Sequence, residues 1–147
     1  MKLLNETKFQ TSESLYFDAV QYFSYSRFNE SVIYANIALE VFVEEYLRRK
    51  YLAQGYREEE ISKKVSKLFS KHISNGGFHN LVKDTYFTGA TEENLNPLVQ
   101  KFEYCRVKRK NSIHLFTTKL SEDEARNVFT YVQDIILWIH NFSDIVH

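Results

Sequence analysis

The chain contains 147 residues, and its 19 Lys and Arg residues balance its 19 Asp and Glu residues, so the formal net charge is zero. Hydrophobic residues make up 44% of the sequence, which excludes an intrinsically disordered protein. Four glycines and one proline are too few for a protein built from many short strands, because each corner of such a fold needs a turn residue. Length and composition therefore predict a single all-α domain over residues 1–147.

Apolar residues recur every three or four positions through most of the chain, which is the spacing of amphipathic helices. The first predicted helix begins after Thr11 and Ser12, which are candidate N-caps. A second helix, predicted to be the central one, covers about residues 30–54 and ends at Gly55. A third helix covers about residues 58–74.

The second half of the chain predicts two further long helices. Residues 78–97 have a weaker pattern, and we expect a short helix followed by a loop there. The next helix begins near Pro97, since proline suits the first helical position. The last helix begins at Ser121, which forms a capping box with Glu124. The predicted fold is an antiparallel bundle of four to five helices.

Several classes of protein are excluded by what the sequence lacks. The single cysteine rules out an internal disulfide framework and a cysteine-rich zinc site. The N-terminus has no apolar signal-peptide core, and no uncharged run reaches the roughly 18–20 apolar residues of a membrane helix. Phosphate-loop, dinucleotide-binding and zinc-protease motifs are absent. We therefore expect a soluble, cytoplasmic protein with no membrane segment, no metal and no cofactor.

Charge is distributed unevenly along the chain. Residues 101–119 contain six basic residues against one acidic residue, Glu103, whereas residues 121–147 contain five acidic residues against Arg126. A concentrated basic patch suits phosphate groups, and nucleic acid is the most common polyphosphate ligand. The alternative is that the acidic and basic helices neutralise each other across the bundle.

His114 lies within this basic segment. A histidine can give or take a proton near neutral pH, and a nearby arginine offers a planar fork to phosphate oxygens. The combination suits RNA cleavage without a metal, in which a base takes the proton of a 2′-OH and that oxygen attacks the adjacent phosphate. The alternative is a histidine that caps a helix or packs in the core.

Three segments of the chain follow one another in an order known from other proteins. Residues 109–114, RKNSIH, have the form R-x4-H. Before them lies YANIALEVFVEEYLRRK (34–50), which contains A-x-x-A-L-E, and after them lies LSEDEARNVFTYVQDII (120–136), which is similar to an S-x-E-E-A helix. This arrangement resembles the HEPN domain family, and the resemblance covers about residues 12–145.

The resemblance implies a function as well as a fold. HEPN domains are four- or five-helix bundles that often form homodimers, with two motifs in one cleft. Active members are metal-independent endoribonucleases that serve as toxins or defence effectors, often beside an antitoxin or a nucleotidyltransferase partner. Carried over to this chain, the resemblance makes His114 the general acid/base, Arg109 the phosphate clamp and RNA the substrate.

Helical geometry leaves the partner of His114 open. On a continuous α-helix, Arg109 and His114 lie about 140° apart, whereas Arg106, Lys110 and His114 share a face. Either the helix breaks between Asn111 and His114 and Arg109 swings round, or Arg106 and Lys110 are the partners. We assign catalysis to Arg109 and His114, and RNA binding to Arg106, Lys108, Lys110 and Asn111.

Glu40 has two interpretations. It is the acidic residue of the A-x-x-A-L-E segment, which is often acidic in HEPN domains, and could therefore support the site by facing Arg109 across the bundle. Alternatively, it belongs to a polar stripe on the second helix together with Asn36, Glu44 and Arg48, which are spaced four residues apart.

Two other functions compete with that of an enzyme. One is a non-catalytic HEPN module that binds RNA, a nucleotide or a partner protein such as a nucleotidyltransferase antitoxin. It is favoured by Lys110, since family members commonly place Asn, Asp or His directly after the arginine and the asparagine here comes one residue later, as Asn111. The other is a plain helical interaction domain, which would expose an apolar patch away from His114.

Overall fold

A computed structural model of the chain describes residues 2–71, 92–113 and 118–145. These residues form five α-helices and contain no strand. The helices are α1 (Lys2–Ser24), α2 (Phe28–Ala53), α3 (Glu58–Lys71), α4 (Glu92–Ile113) and α5 (Glu122–Ile145). The predicted all-α bundle is therefore confirmed. Within these ranges, no helix is long and apolar enough to cross a membrane.

Helix α2 is the central helix, as predicted, and it contacts α1, α3, α4 and α5. Its apolar side chains recur at three- and four-residue spacing, so they line one side of the helix and are buried together. The fully buried members of this stripe are Val32, Ala35, Leu39, Val43 and Leu47. Because α2 provides the shared face, a residue on α2 can contact functional side chains on several other helices.

Three pairs of neighbouring helices, α1–α2, α2–α4 and α4–α5, run in opposite directions, so α2 and α5 are parallel. Near the middle of α1, the hydroxyl of Ser12 donates to the carbonyl of Ala38 on α2 at 3.0 Å, and nearer the link between the two helices Tyr22 stacks on Tyr34. Positions therefore rise along one helix as they fall along the other. By the same criterion, α4 is antiparallel to both α2 and α5.

Helices α1 and α2 end in the same hydrogen-bonded turn. A residue with positive φ follows each helix, Ser26 (61°) after α1 and Gly55 (91°) after α2. The next backbone N–H then donates to the carbonyl five residues earlier, at 2.9 Å after α1 and 3.1 Å after α2. This pattern is the Schellman motif, which satisfies carbonyls left open at the end of a helix. The predicted end of the second helix at Gly55 is confirmed.

The predicted start of the first helix is wrong. Helix α1 begins at Lys2, well before Thr11 and Ser12. Ser12 does not cap α1, because its hydroxyl donates to the Ala38 carbonyl on α2 instead. A contact between two helices thus uses the residue type that usually marks a helix start.

The predicted start of the fourth long helix is also wrong. Helix α4 begins at Glu92, so residues 92–96, predicted as a loop, are helical and Pro97 lies inside the helix. Proline can continue a helix because its φ is helical, although its missing N–H removes one backbone hydrogen bond. The short helix predicted after Phe78, and the end of the third helix at Ser74, lie outside the described residues.

Helix α5 begins as predicted. The Ser121 hydroxyl accepts from the Glu124 backbone N–H, and the Glu124 carboxylate accepts from the Ser121 N–H, each at 3.1 Å. These reciprocal bonds form the capping box. The apolar stripe that follows is buried as predicted, at Ala125, Val128, Val132, Ile135 and Ile139. The capping box therefore fixes the start of the helix that packs along α4.

Candidate functional site

Arg109 lies on α4, one turn before the last residue of that helix. Its guanidinium donates through Nη1 to the carboxylate of Glu40 on α2. Each of the two side chains keeps 34% of its surface exposed. The contact therefore joins α2 to α4 at a place that solvent, and hence a ligand, can reach.

Glu40 occupies a partly buried position that disfavours its negative charge. Burial raises the pKa of Glu40 above its ordinary value, and the neighbouring Arg109 guanidinium opposes that shift. Of the two interpretations left open by the sequence, the contact with Arg109 is the one observed. The polar stripe proposed as the alternative is not simply solvated, since Asn36 is buried and donates to the Val32 carbonyl at 2.9 Å.

Helix α4 is continuous from Arg109 to Ile113. A break at Asn111 or Ser112 that would swing Arg109 round is therefore excluded, and Arg109 is directed toward α2. His114 lies outside the described residues, so its pairing with Arg109, or with Arg106 and Lys110, stays a prediction.

Most of the predicted RNA-binding cations already have acidic partners. Among the described residues, four of the six basic residues in 101–119 form ion pairs, whereas Lys110 and Lys119 are exposed and Asn111 is half-buried. The pairs are Lys101–Asp134 (3.0 Å), Arg106–Glu103 (3.1 Å), Lys108–Glu124 (2.5 Å) and Arg109–Glu40. Two of them join α4 to α5, which is the neutralisation across the bundle that the sequence offered as an alternative to a basic patch.

The pair formed by Lys108 and Glu124 is coupled to the start of α5. The hydrogen bond from Lys108 lowers the pKa of Glu124, and the Ser121 backbone N–H acts in the same direction. The same bond raises the pKa of Lys108. Lys108 is therefore a structural cation between α4 and α5.

A buried asparagine of α2, which the sequence analysis did not single out, contacts the end of α4. The Asn29 side chain, on the first turn of α2, donates to the carbonyls of Ser112 (3.2 Å) and Thr118 (2.9 Å), and it accepts from the Leu120 N–H (3.0 Å). We term these three hydrogen bonds the Asn29 bridge. The bridge joins the start of α2, the last turn of α4 and the residues that lead into α5.

A largely apolar cavity of about 600 Å3 lies between α1, α2 and α5. Phe17 and Leu137, which line it, are 61% and 57% exposed. The remaining lining residues are Ser12, Glu13, Tyr16, Val20, Ala38, Phe42, Gln133 and Ile136. Neither Glu40 nor Arg109 lines this cavity, so an apolar surface exists apart from the Glu40–Arg109 pair.

The Arg109 guanidinium keeps N–H donors beyond the one that binds Glu40. A guanidinium offers five N–H donors in one plane, so an arginine that donates to one carboxylate oxygen still has donors for a phosphate. Within the described part of the chain, no group of three or more His, Cys, Asp or Glu side chains could hold a metal ion. The described side chains of the site are thus a guanidinium and the carboxylate that it contacts.

Comparison of the chain with protein-family models, with curated proteins and with solved structures gives no match. The functional interpretation therefore depends on two observations. One is the order of the three segments within residues 34–136 of the sequence, and the other is the contact between Arg109 and Glu40.

Proposed function

We propose that the protein is a metal-independent endoribonuclease of the HEPN type, acting as a cytoplasmic homodimer in a toxin or defence role. The observation that carries the proposal is the contact between Glu40 and Arg109. It joins the A-x-x-A-L-E segment on α2 to the arginine of the R-x4-H motif on α4, and these are two of the three segments on which the resemblance depends.

The proposed reaction divides the work between two side chains. His114 takes the proton from a ribose 2′-OH, and the 2′-oxygen attacks the adjacent phosphorus. The bond from phosphorus to the 5′-oxygen breaks, and a protonated histidine donates a proton to that leaving oxygen. The products are a 2′,3′-cyclic phosphate and a 5′-OH end. Arg109 donates hydrogen bonds to the phosphate oxygens as negative charge increases in the transition state.

Glu40 is proposed to orient Arg109. An arginine side chain on a helix surface has many rotamers, and fixing one of them before RNA binds removes an entropic cost from the transition state. Because each side chain is 34% exposed, the pair can hold the guanidinium in place while leaving donors open to the ligand. Glu40 is therefore a positioning residue rather than a catalytic one.

Cleavage of an end-labelled, structured RNA in excess EDTA tests the proposal. We expect the wild type to cut the RNA and to leave cyclic-phosphate ends. His114→Ala and Arg109→Ala should each reduce the rate at least about 100-fold, which is the size of effect expected when an acid/base or a charge-stabilising donor is removed. Lys101→Ala is the matched control, because Lys101 is also an ion-paired cation on α4 but pairs with Asp134 on α5.

Three results would contradict the proposal. They are no cutting by the wild type, cutting that EDTA abolishes, and cutting that His114→Ala retains. The rate should also peak between about pH 6 and pH 8, because one histidine must both take and give a proton. A rate that still rises beyond about pH 9 would exclude His114 as the acid/base.

A second candidate function is a non-catalytic module of the same type that binds RNA, a nucleotide or a partner protein such as an antitoxin. The observation that favours it is the exposed Lys110, which stands directly after Arg109, where family members commonly place Asn, Asp or His. For this candidate, we expect salt-sensitive RNA binding that His114→Ala leaves unchanged and that is not followed by cutting.

A further inference from the structure

The last turn of α4 is held by α2 at two points. The Arg109 side chain donates to Glu40, and the Ser112 backbone carbonyl accepts from Asn29. Ser112 is fully buried, and its hydroxyl donates to the Arg109 carbonyl at 2.5 Å. Asn29 therefore reaches the backbone of Arg109 through one intervening residue.

The same asparagine also holds the chain that leads into α5. One nitrogen, Nδ2 of Asn29, donates to both the Ser112 and the Thr118 carbonyls, so these two oxygens cannot be farther apart than the two hydrogen-bond lengths together. The amide oxygen of Asn29 accepts from the N–H of Leu120, which is itself buried.

Only an amide side chain of this length can form the three bonds. An asparagine side chain has two N–H donors and one acceptor oxygen, and Asn29 uses all three here. An aspartate would keep the acceptor but lose both donors when ionised, and a leucine of similar volume would lose all three bonds. Asn29 is 8% exposed, so water cannot easily replace the lost partners.

We infer that Asn29 is a positioning residue of the proposed ribonuclease site. It fixes the turn that carries Arg109 relative to the residues that precede α5. This inference rests on the proposed function, because Arg109 is a catalytic residue only in the proposed reaction. Displacing catalytic groups by about 1 Å lowers the turnover rate without removing a substrate contact.

Three variants test this role. Asn29→Leu removes the whole Asn29 bridge, and Asn29→Asp keeps the acceptor for Leu120 but removes both donors. Asn36→Leu is the matched control, because Asn36 is a second buried asparagine of α2 whose described side-chain bond is to Val32 within the same helix. For each variant, kcat and KM for RNA cleavage are measured per folded molecule, together with native-state hydrogen exchange of the Leu120 amide.

We expect Asn29→Leu to lower kcat at least about tenfold while KM changes less than about twofold, and to speed exchange of the Leu120 amide at least about tenfold. Asn29→Asp should lower kcat while the Leu120 amide stays protected. Asn36→Leu should leave both quantities close to those of the wild type, which separates a positioning role from a general loss of packing.

Equal losses of kcat in Asn29→Leu and Asn36→Leu would overturn the inference, as would a Leu120 amide whose exchange is unchanged in Asn29→Leu. A wild type that cuts no RNA would overturn the proposed function, and the catalytic part of this inference with it. Loss of Leu120 protection in Asn29→Leu would in that case show that the Asn29 bridge forms, so the two failures are distinguishable.

Discussion

At the residue scale, Ser26 and Gly55 occupy equivalent positions after α1 and α2, both with positive φ. Glycine adopts this conformation without steric cost, whereas the Cβ of a serine crowds the backbone. The residue after α1 therefore adopts its positive φ at a higher steric cost than the residue after α2.

Ser26→Gly should raise the free energy of unfolding by about 1 kcal/mol, because it removes the cost of a left-handed residue with a Cβ. Urea unfolding measures the change. The reciprocal variant, Gly55→Ala, should lower the free energy of unfolding by a similar amount. A Cβ at Gly55 meets no atom within 4 Å, so its cost is conformational only. A loss of stability in Ser26→Gly would contradict this account.

Glu40 should make stability depend on pH in an unusual direction. Because burial raises its pKa in the folded protein, the folded state binds a proton more readily than the unfolded state as the pH falls from neutral. The wild type should therefore gain stability relative to Glu40→Gln between pH 7 and about pH 4.5, near the unperturbed pKa of a glutamate. Urea unfolding of both proteins at the two pH values measures this, and a difference that moves the other way would be inconsistent with a raised pKa.

Individual residues differ in how far the sequence could predict their contacts and conformations. The end of α2 was predictable because glycine is the usual residue after a helix, whereas serine is an uncommon residue in the equivalent position after α1. Glu40 and Arg109 are 69 residues apart. The sequence pattern of α2 alone therefore could not decide between a contact with Arg109 and a polar stripe on α2. Asn29 contacts residues 83 to 91 positions away, and no local pattern indicates such contacts.

At the element scale, the start of α5 combines a capping box with an ion pair to α4. Glu124 takes part in both, because its carboxylate accepts from the Ser121 backbone and from Lys108. Helix α5 is thus fixed to its neighbour at its first turn.

Glu124→Gln should lower stability at neutral pH, and this difference from the wild type should disappear in acid. Glutamine can keep the capping box, so the variant isolates the charge of Glu124. Since the pKa of Glu124 is lowered in the folded protein, its stabilisation is present above the ordinary value and is lost as the pH falls through the lowered one. Urea unfolding at pH 7, 5 and 3.5 measures the trend, which is opposite to that of Glu40.

Ser121→Ala is the control for this prediction. It should cost about 1 kcal/mol, because it removes the hydrogen bond at the N-cap. Only a smaller part of this cost should disappear in acid, since the Ser121 hydroxyl lowers the pKa of Glu124 less than Lys108 does. A deficit of Glu124→Gln that persists unchanged in acid would show that the charge is not its cause.

Helix ends were harder to predict than helix faces. The stripe on α5 follows from periodicity alone, because one side of a helix must be buried. Ser12 and Pro97 instead suggested helix starts that the structure does not have, since a serine can bond to a neighbouring helix and a proline can lie within one. At Ser12, a tertiary contact therefore overrides a local capping signal.

At the scale of the whole molecule, stability depends most on α2. Leu39→Ala should lower the free energy of unfolding by about 3 kcal/mol, because Leu39 is 1% exposed on the helix that contacts the other four. Leu52→Ala is the matched control on the same helix. Leu52 is 52% exposed, and its removal should cost less than about 0.5 kcal/mol. Urea unfolding with an unchanged m-value measures both, and equal losses would contradict the central position of α2.

The bundle could be predicted from the sequence because helical periodicity extends over most of it. The site could be predicted only in part. The R-x4-H pattern indicated which residue types to consider, but it did not show that carboxylates on α2, α4 and α5 would pair with most of the neighbouring cations. Those pairs depend on which helices are adjacent, and adjacency is a property of the whole fold.

Cys105 gives the chain a built-in reporter of local opening. It is the only cysteine in the sequence, it is 1% exposed, and burial raises its pKa to about 12. Its thiol donates to the Val128 carbonyl on α5, so a reagent that needs a thiolate can reach it only after α4 and α5 separate. The rate of thiol labelling under native conditions therefore measures how often these two helices part, without any engineered label.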